Sequence, residues 1–323
     1  MAAFPANLDL GSLDGSHGFK LSGIAGRDYS GGSVSAAGDV NGDGVDDVII
    51  GARGADPNGY NSGASYVVFG AAGAFPANLG LSILDGMNGF QLSGVAAFNY
   101  SGLSVSAAGD VNGDGVDDVI IGAAGDSYVV FGKDTAAGAF QANLKLSSLD
   151  GTNGFQLSGV VAGDLSGHWV SAAGDVNGDG VDDVIIGAPG ARESYVVFGK
   201  DTAATGAFPA HLEVSTLDGA NGFKLDGSSS SVSAAGDING DGVADVIIGV
   251  ELDDPSGSRS GASYVVFGKD TVAAGAFPAH LELSSLDGTN GFQLSGVVAG
   301  DLSGHWVSAA GDVNGDGVDD VII

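Results

Sequence analysis

The chain has 323 residues, of which 44% are apolar, 59 are glycine and none is cysteine, and its formal net charge is −30. This acidity argues against nucleic acid or an anionic membrane surface as a partner, because both carry negative charge. No stretch approaches the roughly 20 apolar residues that span a bilayer, so no membrane insertion is expected. Glycine this frequent without a three-residue period indicates many tight turns and an all-β fold.

Short β-branched segments recur along the chain in a fixed order. A Gly-Phe-Lys-Leu segment at 18–21 is followed by four candidate strands at 33–38, 47–51, 65–70 and 89–92. The same four types return at later positions, and no segment has a long helical period. A period of 62 to 75 residues that contains four short strands is typical of a propeller blade.

One nine-residue pattern, Asp-x-Asn-Gly-Asp-Gly-x-x-Asp, stands between the first and second strand of each period. Calcium binds about six to eight hard oxygen atoms at flexible geometry, which a short loop supplies from alternate positions. Magnesium prefers stricter octahedral geometry with more water, so we expect calcium, with up to five Ca²⁺ ions bound. The loops occupy residues 39–47, 110–118, 175–183, 237–245 and 312–320. The predicted ligands, with a backbone carbonyl at the valine, are Asp39, Asn41, Asp43, Val45 and Asp47; Asp110, Asn112, Asp114, Val116 and Asp118; Asp175, Asn177, Asp179, Val181 and Asp183; Asp237, Asn239, Asp241, Val243 and Asp245; and Asp312, Asn314, Asp316, Val318 and Asp320.

The pattern can also be read without a metal, because Asn-Gly and Asp-Gly dipeptides form hairpin turns. Three aspartates within nine residues repel one another without a counter-ion, and five copies repeat the arrangement, which favours the metal. An EF-hand is disfavoured, because its position twelve is acidic and here that residue is isoleucine, as at Ile50. Position nine is Asp in all five copies, whereas position eight is Ala244 in one. We therefore predict that position eight is an accessory charge that faces outward.

Together these segments resemble the FG-GAP repeats of integrin alpha subunits and of many bacterial surface proteins. The resemblance rests on Gly154-Phe155, the loop at 175–183, Gly187-Ala188-Pro189 and the Tyr-Val-Val-Phe-Gly segment that begins at Tyr195. It implies a single β-propeller domain over residues 1–323, built of four-stranded antiparallel blades, with calcium in the loop between strands one and two. Five repeats are visible, and the last one is incomplete.

In an antiparallel blade, the 1–2 and 3–4 loops lie on one face of the propeller and the 2–3 and 4–1 loops on the other. The calcium loops therefore share a face with the long 3–4 connections, such as 132–144. The opposite face carries aromatic and charged residues that suit a protein or carbohydrate ligand. For Trp169 and Trp306 the alternative is that the rings fill the contact between blades. The candidate ligand-binding residues are Arg27, Tyr29, Tyr60, Tyr100, Trp169 and Trp306.

The sequence contains no cysteine, no Gly-x-Ser-x-Gly and no His-Glu-x-x-His, so we do not expect an enzyme. The resemblance implies an extracellular or cell-surface protein of bacterial origin that mediates adhesion or binds a ligand, with calcium in a structural role. The first eight residues lack the features of a secretory signal, so we expect either that the export signal is not present in this chain or that Met1 is not the natural start. Residues 147–186 and 284–323 are identical, which indicates recent duplication, and we expect a fragment of a longer protein. Two alternatives stay open: a propeller hydrolase or lyase acting on polysaccharide, and a structural spacer of a large surface protein.

Overall fold

The computed structural model describes residues 7–161, 163–227 and 229–323, and strands dominate it. Helix is limited to α1 (Thr202–Thr205), α2 (Thr271–Ala274) and single 3₁₀ turns, and no described helix is long and apolar enough to cross a membrane. The 3₁₀ turns are Leu10–Ser12, Leu81–Ile83, Thr135–Ala137, Leu146–Ser148, Val214–Thr216 and Leu283–Ser285. The strands are β1 (Lys20–Ser22), β2 (Ser33–Gly38), β3 (Asp47–Ala52), β4 (Ala64–Val68), β5 (Asn78–Gly80), β6 (Gly89–Ser93), β7 (Ser104–Gly109), β8 (Asp118–Gly122), β9 (Asp126–Val130), β10 (Asn143–Lys145), β11 (Gly154–Ser158), β12 (Trp169–Gly174), β13 (Asp183–Ala188), β14 (Glu193–Val197), β15 (His211–Glu213), β16 (Gly222–Asp226), β17 (Ser231–Gly236), β18 (Asp245–Val250), β19 (Ala262–Val266), β20 (His280–Leu281), β21 (Gly291–Ser295), β22 (Ser308–Gly311) and β23 (Asp320–Ile322).

The strands form four successive blades, each with four antiparallel strands, which confirms the predicted fold class. Blade 1 contains β2, β3, β4 and β6; blade 2 contains β7, β8, β9 and β11; blade 3 contains β12, β13, β14 and β16; and blade 4 contains β17, β18, β19 and β21. All five residues of β4 and of β8 are buried. The middle strands therefore read as continuous apolar runs rather than alternating ones, because both of their faces are covered.

A fifth strand, which runs parallel to its neighbour, completes the outer edge of blades 1 to 3. These strands are β10, β15 and β20, and each belongs to the connection between strands three and four of the following repeat. In blade 1, for example, Asn143 of β10 pairs with Gln91 of β6. The sequence pattern predicts a loop here, because two or three residues are too few to show a strand period.

The apolar core lies between neighbouring blades. The first strands pack side by side, β2 against β7, β7 against β12, β12 against β17 and β17 against β22. Ile49 and Phe90 of blade 1 belong to the same buried cluster as Ile121 and Tyr128 of blade 2. Phe90 stacks on Phe140 of the following connection with ring centroids 4.4 Å apart. A blade is therefore stabilised by the next repeat as well as by its own strands.

Two-stranded sheets stand at the two ends of the described chain. β1 pairs in parallel with β5, and β22 pairs with β23 in a hairpin that contains the fifth nine-residue loop. These two pairs form separate sheets, so the described strands do not close into a ring.

Candidate metal centres and ligand face

Each nine-residue loop closes the hairpin between the first two strands of its repeat. In blade 1 the pairing shifts register between Ala36 and Gly38, and Gly38 then pairs with Asp47. Gly42 and Gly44 have φ values of 71° and 85°, in the left-handed region that glycine adopts without a steric cost. The two glycines thus allow the tight turn that brings positions one to nine together.

The aspartate at position nine is buried in the first four loops. Asp47 is 1% exposed, and its carboxylate accepts from the N–H of Val40 at 3.0 Å and of Gly70 at 2.7 Å. Burial raises the pKa of Asp47 to about 7 and of Asp245 to about 6, and nearby aspartates contribute less. Burial likewise raises the pKa of Asp118 and of Asp183 well above the ordinary value. A buried carboxylate of this kind is stabilised when a cation neutralises it.

The asparagine at position three carries an unsatisfied oxygen in three loops. Asn41, Asn112 and Asn177 are 2%, 3% and 3% exposed, and each Oδ1 is buried with no hydrogen-bond partner. The Nδ2 of each points to the position-nine carboxylate, at 3.4 Å for Asn41 and Asp47. Buried acceptors normally have a partner, so three equivalent exceptions need an explanation. A cation bound by the loop provides one, because the amide oxygen is a hard ligand of the kind calcium binds.

The aspartates at positions one and five take part in hydrogen bonds within the loop. The Asp39 carboxylate accepts from the N–H of Asp43 at 3.0 Å and of Gly44 at 2.7 Å, and Asp43 accepts from the N–H of Val45 at 2.9 Å. Across the described residues, no group of three or more His, Cys, Asp or Glu side chains is arranged to hold a metal ion. The evidence that the loops fit a cation is therefore the orphaned amide oxygen and the buried carboxylate, rather than a convergent carboxylate cluster.

The prediction that position eight faces outward is wrong for three loops. Asp117 of blade 2 reaches back to blade 1, where its Oδ2 accepts from the N–H of Asp39 at 2.8 Å. The same bond joins Asp182 to the N–H of Asp110 at 3.0 Å, and Asp319 to the N–H of Asp237 at 2.9 Å. Through its side chain, position eight therefore links the second, third and fifth loops to the loop before them. At Ala244 only the backbone bond remains, from its N–H to the Asp175 carbonyl at 3.1 Å, since the alanine side chain offers no acceptor.

The following repeat also covers each of the first three loops. The N–H groups of Lys133 and Thr135, in the connection of blade 2, donate to the carbonyls of Val40 and Asn41 at 3.0 and 2.9 Å. Lys200 and Thr202 repeat these bonds on the second loop, and Lys269 and Thr271 repeat them on the third. The nine-residue loops and the 3–4 connections thus lie on one face, as the strand directions require.

The last two loops differ from the first three. Asn239 is exposed, and its Oδ1 accepts from the N–H of Asp241 at 2.9 Å. In the fifth loop Asp312 and Asn314 are both exposed. The loops at 39–47, 110–118 and 175–183 are therefore the ones whose surroundings best fit a bound cation.

On the opposite face, three of the six candidate ligand-binding residues come together. Tyr29, Trp169 and Trp306 line one cavity of about 400 Å³. The indole rings of Trp169 and Trp306 meet edge to face with centroids 4.7 Å apart. Trp169 also packs against the buried cluster between blades 3 and 4, so it has the packing role as well. Trp306 is 58% exposed.

The other three candidates lie outside this cavity. Tyr60 and Tyr100 flank Phe98, with ring centroids 5.6 and 6.4 Å from it, in a second aromatic group. Arg27 is exposed and belongs to neither group. Arg53, which the sequence analysis did not select, lines the cavity and lies over the Tyr29 ring at 5.6 Å. The sequence feature that indicates Arg53 as a ligand-binding candidate is its place in a 2–3 loop of the same face.

Among the described residues, the non-glycine residues with positive φ all lie in the loops of this face. Tyr29, Tyr100, Leu165 and Leu302 have φ between 52° and 57° at equivalent positions of four 4–1 loops. Left-handed backbone at a bulky residue costs on the order of 1–2 kcal/mol, and it persists where surrounding contacts require it. In the nine-residue loops, by contrast, glycine fills the left-handed positions.

The family model for the FG-GAP repeat matches four stretches of the chain, residues 30–68, 101–140, 166–206 and 229–266. Each stretch contains one of the first four nine-residue loops, and the fifth loop lies outside them.

Curated proteins similar to this chain are integrin alpha subunits. The chain is 30% identical to integrin alpha pat-2 of Caenorhabditis elegans over 245 residues, which is 68% of this chain and 18% of that protein. It is 34% identical to integrin alpha-4 of Xenopus laevis over 176 residues, 51% of this chain and 16% of that protein. The chain thus spans less than a fifth of the length of these relatives. With four matched repeats and the propeller blades described above, the chain is an FG-GAP repeat protein.

Proposed function

We propose that this chain is a calcium-binding, extracellular β-propeller that mediates adhesion by binding a protein or carbohydrate ligand, without catalysis. The observation that carries the calcium part is the buried, unpartnered Oδ1 of Asn41, Asn112 and Asn177, each beside a buried carboxylate. The similarity to integrin alpha subunits supports the adhesive part and the extracellular location.

In each complete loop, calcium would be held by the residues at positions one, three, five, seven and nine. In the first loop these are Asp39, Asn41, Asp43, the Val45 carbonyl and Asp47. When bound, the ion supplies positive charge beside a buried carboxylate. The chain's own contribution is to position the oxygen atoms: the Val40 and Gly70 N–H groups hold Asp47, and the connection of blade 2 holds the loop backbone.

Calcium bound at the loops would stabilise the folded state by linkage, because the unfolded chain lacks the arranged oxygen atoms. A site contributes about 2.7 kcal/mol when free calcium is a hundred times its Kd. Thermal unfolding in 1 mM calcium, in 1 mM magnesium and in excess chelator measures this contribution. We expect the highest melting temperature in calcium. Equal melting temperatures in calcium and chelator would disprove the structural role of the ion.

The ligand part needs a separate test. An array of glycans and of extracellular-matrix proteins, probed with the calcium-loaded chain, should give specific binding, and a turnover assay on any glycan that binds should give no product. Release of shortened glycan would instead support the polysaccharide hydrolase or lyase. Absence of any ligand would favour the structural spacer.

A further inference from the structure

The cavity that holds the two tryptophans is built from several repeats. Tyr29 and Arg53 come from loops that flank blade 1, Leu103 and Ser104 from the start of blade 2, His168 and Trp169 from the start of blade 3, and Trp306 from the last repeat. Its volume of about 400 Å³ lies within the range of roughly 300–1,000 Å³ that is typical of small-molecule sites. No single repeat forms this cavity alone.

Arg53 is the cationic group of this cavity, and it has no acidic partner. None of the four arginines forms an ion pair among the described residues, so Arg53 differs from the others by its place in the cavity rather than by the lack of an acidic partner. Among the described residues the ion pairs are His17 with Asp14, Lys224 with Glu193 and His305 with Glu251, and none involves Arg53. Its guanidinium carbon lies 5.6 Å from the centroid of the Tyr29 ring. A free guanidinium that is held over a ring suits a carboxylate, which it can bind through two parallel hydrogen bonds.

The other residues that line the cavity include aromatic rings and serine hydroxyl groups. Tyr29 is 60% exposed and Trp306 is 58% exposed, and the rings of Trp169 and Trp306 are inclined at 83° to each other. Burial lowers the pKa of His168, with a smaller effect of the Arg53 charge, so this imidazole is neutral at pH 7 and can exchange hydrogen bonds with hydroxyl groups. Exposed ring faces and neutral hydrogen-bonding groups suit the apolar face and hydroxyls of a sugar ring.

An extended peptide fits this cavity less well. A peptide that adds to a sheet needs free backbone groups at a strand edge. Here the N–H of Val105 already donates to Ser33 Oγ at 3.0 Å, and the N–H of Val170 donates to Ser104 Oγ at 3.3 Å. The backbone N–H groups at the starts of these first strands are therefore already engaged in hydrogen bonds between neighbouring blades.

We infer that this cavity binds an acidic sugar unit of an oligosaccharide, with its carboxylate on Arg53 and its ring against Tyr29, Trp169 and Trp306. The inference rests on the proposed ligand-binding function and names the class of ligand. It also gives the cavity a role in recognition that is separate from the calcium loops on the other face.

The chain's two tryptophans both line the cavity, so tryptophan fluorescence, excited selectively over that of the seven tyrosines, reports on this site. The calcium-loaded chain is titrated with a tetrasaccharide of alternating glucuronate and N-acetylglucosamine, and with the methyl ester of the same tetrasaccharide. We expect a saturable fluorescence change with the acid and at least tenfold weaker binding of the ester. Equal affinity for acid and ester overturns the inference.

Arg53→Gln should abolish the preference for the acid, because only the charged contact is removed. Arg192→Gln, an exposed arginine in the corresponding loop of blade 3, is the matched control and should bind as the parent does. Melting curves in calcium establish that both variants fold. An Arg53→Gln variant that still prefers the acid contradicts the inference.

A third titration uses a glycine pentapeptide with one central aspartate. Binding of this peptide instead of the tetrasaccharide overturns the sugar class but leaves the proposed ligand-binding function intact. A chain that responds to no probe, while chelator still lowers its melting temperature, overturns the inference and leaves the calcium role standing.

Discussion

Residues 147–186 and 284–323 have the same 40-residue sequence but lie in different surroundings. In the first copy Asn177 and Asp183 are 3% and 0% exposed, whereas in the second Asn314 is exposed and Asp320 is half-buried. The first strand covers six residues as β12 but only four as β22. Identical residues thus form the same hairpin, while the neighbouring repeats determine how deeply its loop is buried.

The bonds that hold the position-nine carboxylate within the loop are the same in both copies. The N–H of Val176 donates to Asp183 at 2.9 Å, as the N–H of Val313 does to Asp320 at 2.9 Å. In the first copy two donors from outside the loop also hold it, the N–H of Gly199 to Asp183 and the N–H of Thr271 to the Asn177 carbonyl. Local sequence therefore fixes the loop's shape, and packing between repeats sets its electrostatics.

The largest expected effect is a difference in folding stability between substitutions of the position-nine aspartate in the two copies. In calcium, Asp183→Asn should destabilise the chain by on the order of 3 kcal/mol, because a buried ligand of the bound ion is lost. Asp320→Asn should have a much smaller effect, since its surroundings are more open. Urea unfolding of both variants in calcium makes the comparison.

Repeating that pair in excess chelator is the control. Without the ion, Asp183→Asn should cost little or stabilise the chain, because the amide has no charge to bury. If the two variants lose the same stability in calcium, the burial of the loop does not determine how much its position-nine aspartate contributes. That result would contradict the comparison between the two copies.

The tryptophans should give the next largest difference. Trp169→Ala should cost about 2 kcal/mol, because the ring packs against the core between blades 3 and 4. Trp306→Ala should cost about 0.5 kcal/mol or less, since Trp306 is 58% exposed. Melting temperatures measured in the same buffer test this ranking, and a larger loss for Trp306 would contradict it.

The smallest expected effect concerns position eight. Asp182→Ala should cost about 1 kcal/mol by removing the acceptor for the Asp110 N–H. Ala244→Asp should stabilise the chain by up to about 1 kcal/mol, because it offers the same acceptor to the N–H of Asp175. Gly174 leaves room for the carboxylate there, as Gly109 does beside Asp182. Urea unfolding in calcium measures both, and a destabilising Ala244→Asp would show that this link adds no stability.

Much of the fold was predictable because its signals are local. Periodic strands, the nine-residue loop and its glycines define the four antiparallel strands of a blade within one repeat. The parallel strand β10 was not predictable, since its three residues gain their partner from the preceding repeat. The role of Asp117 was missed for the same reason, because its acceptor function depends on Asp39, 78 residues away. Arg53 became notable only once the structure placed it in the cavity and over the Tyr29 ring.

The parallel outer strands have a mechanical consequence. Because β10, β15 and β20 are each hydrogen-bonded to the preceding blade but covalently part of the following repeat, no blade can be pulled out alone. A tensile load applied along the chain must shear one of these parallel ladders before it can open the blade beside it. Force that arrives at one repeat is therefore shared with its neighbour.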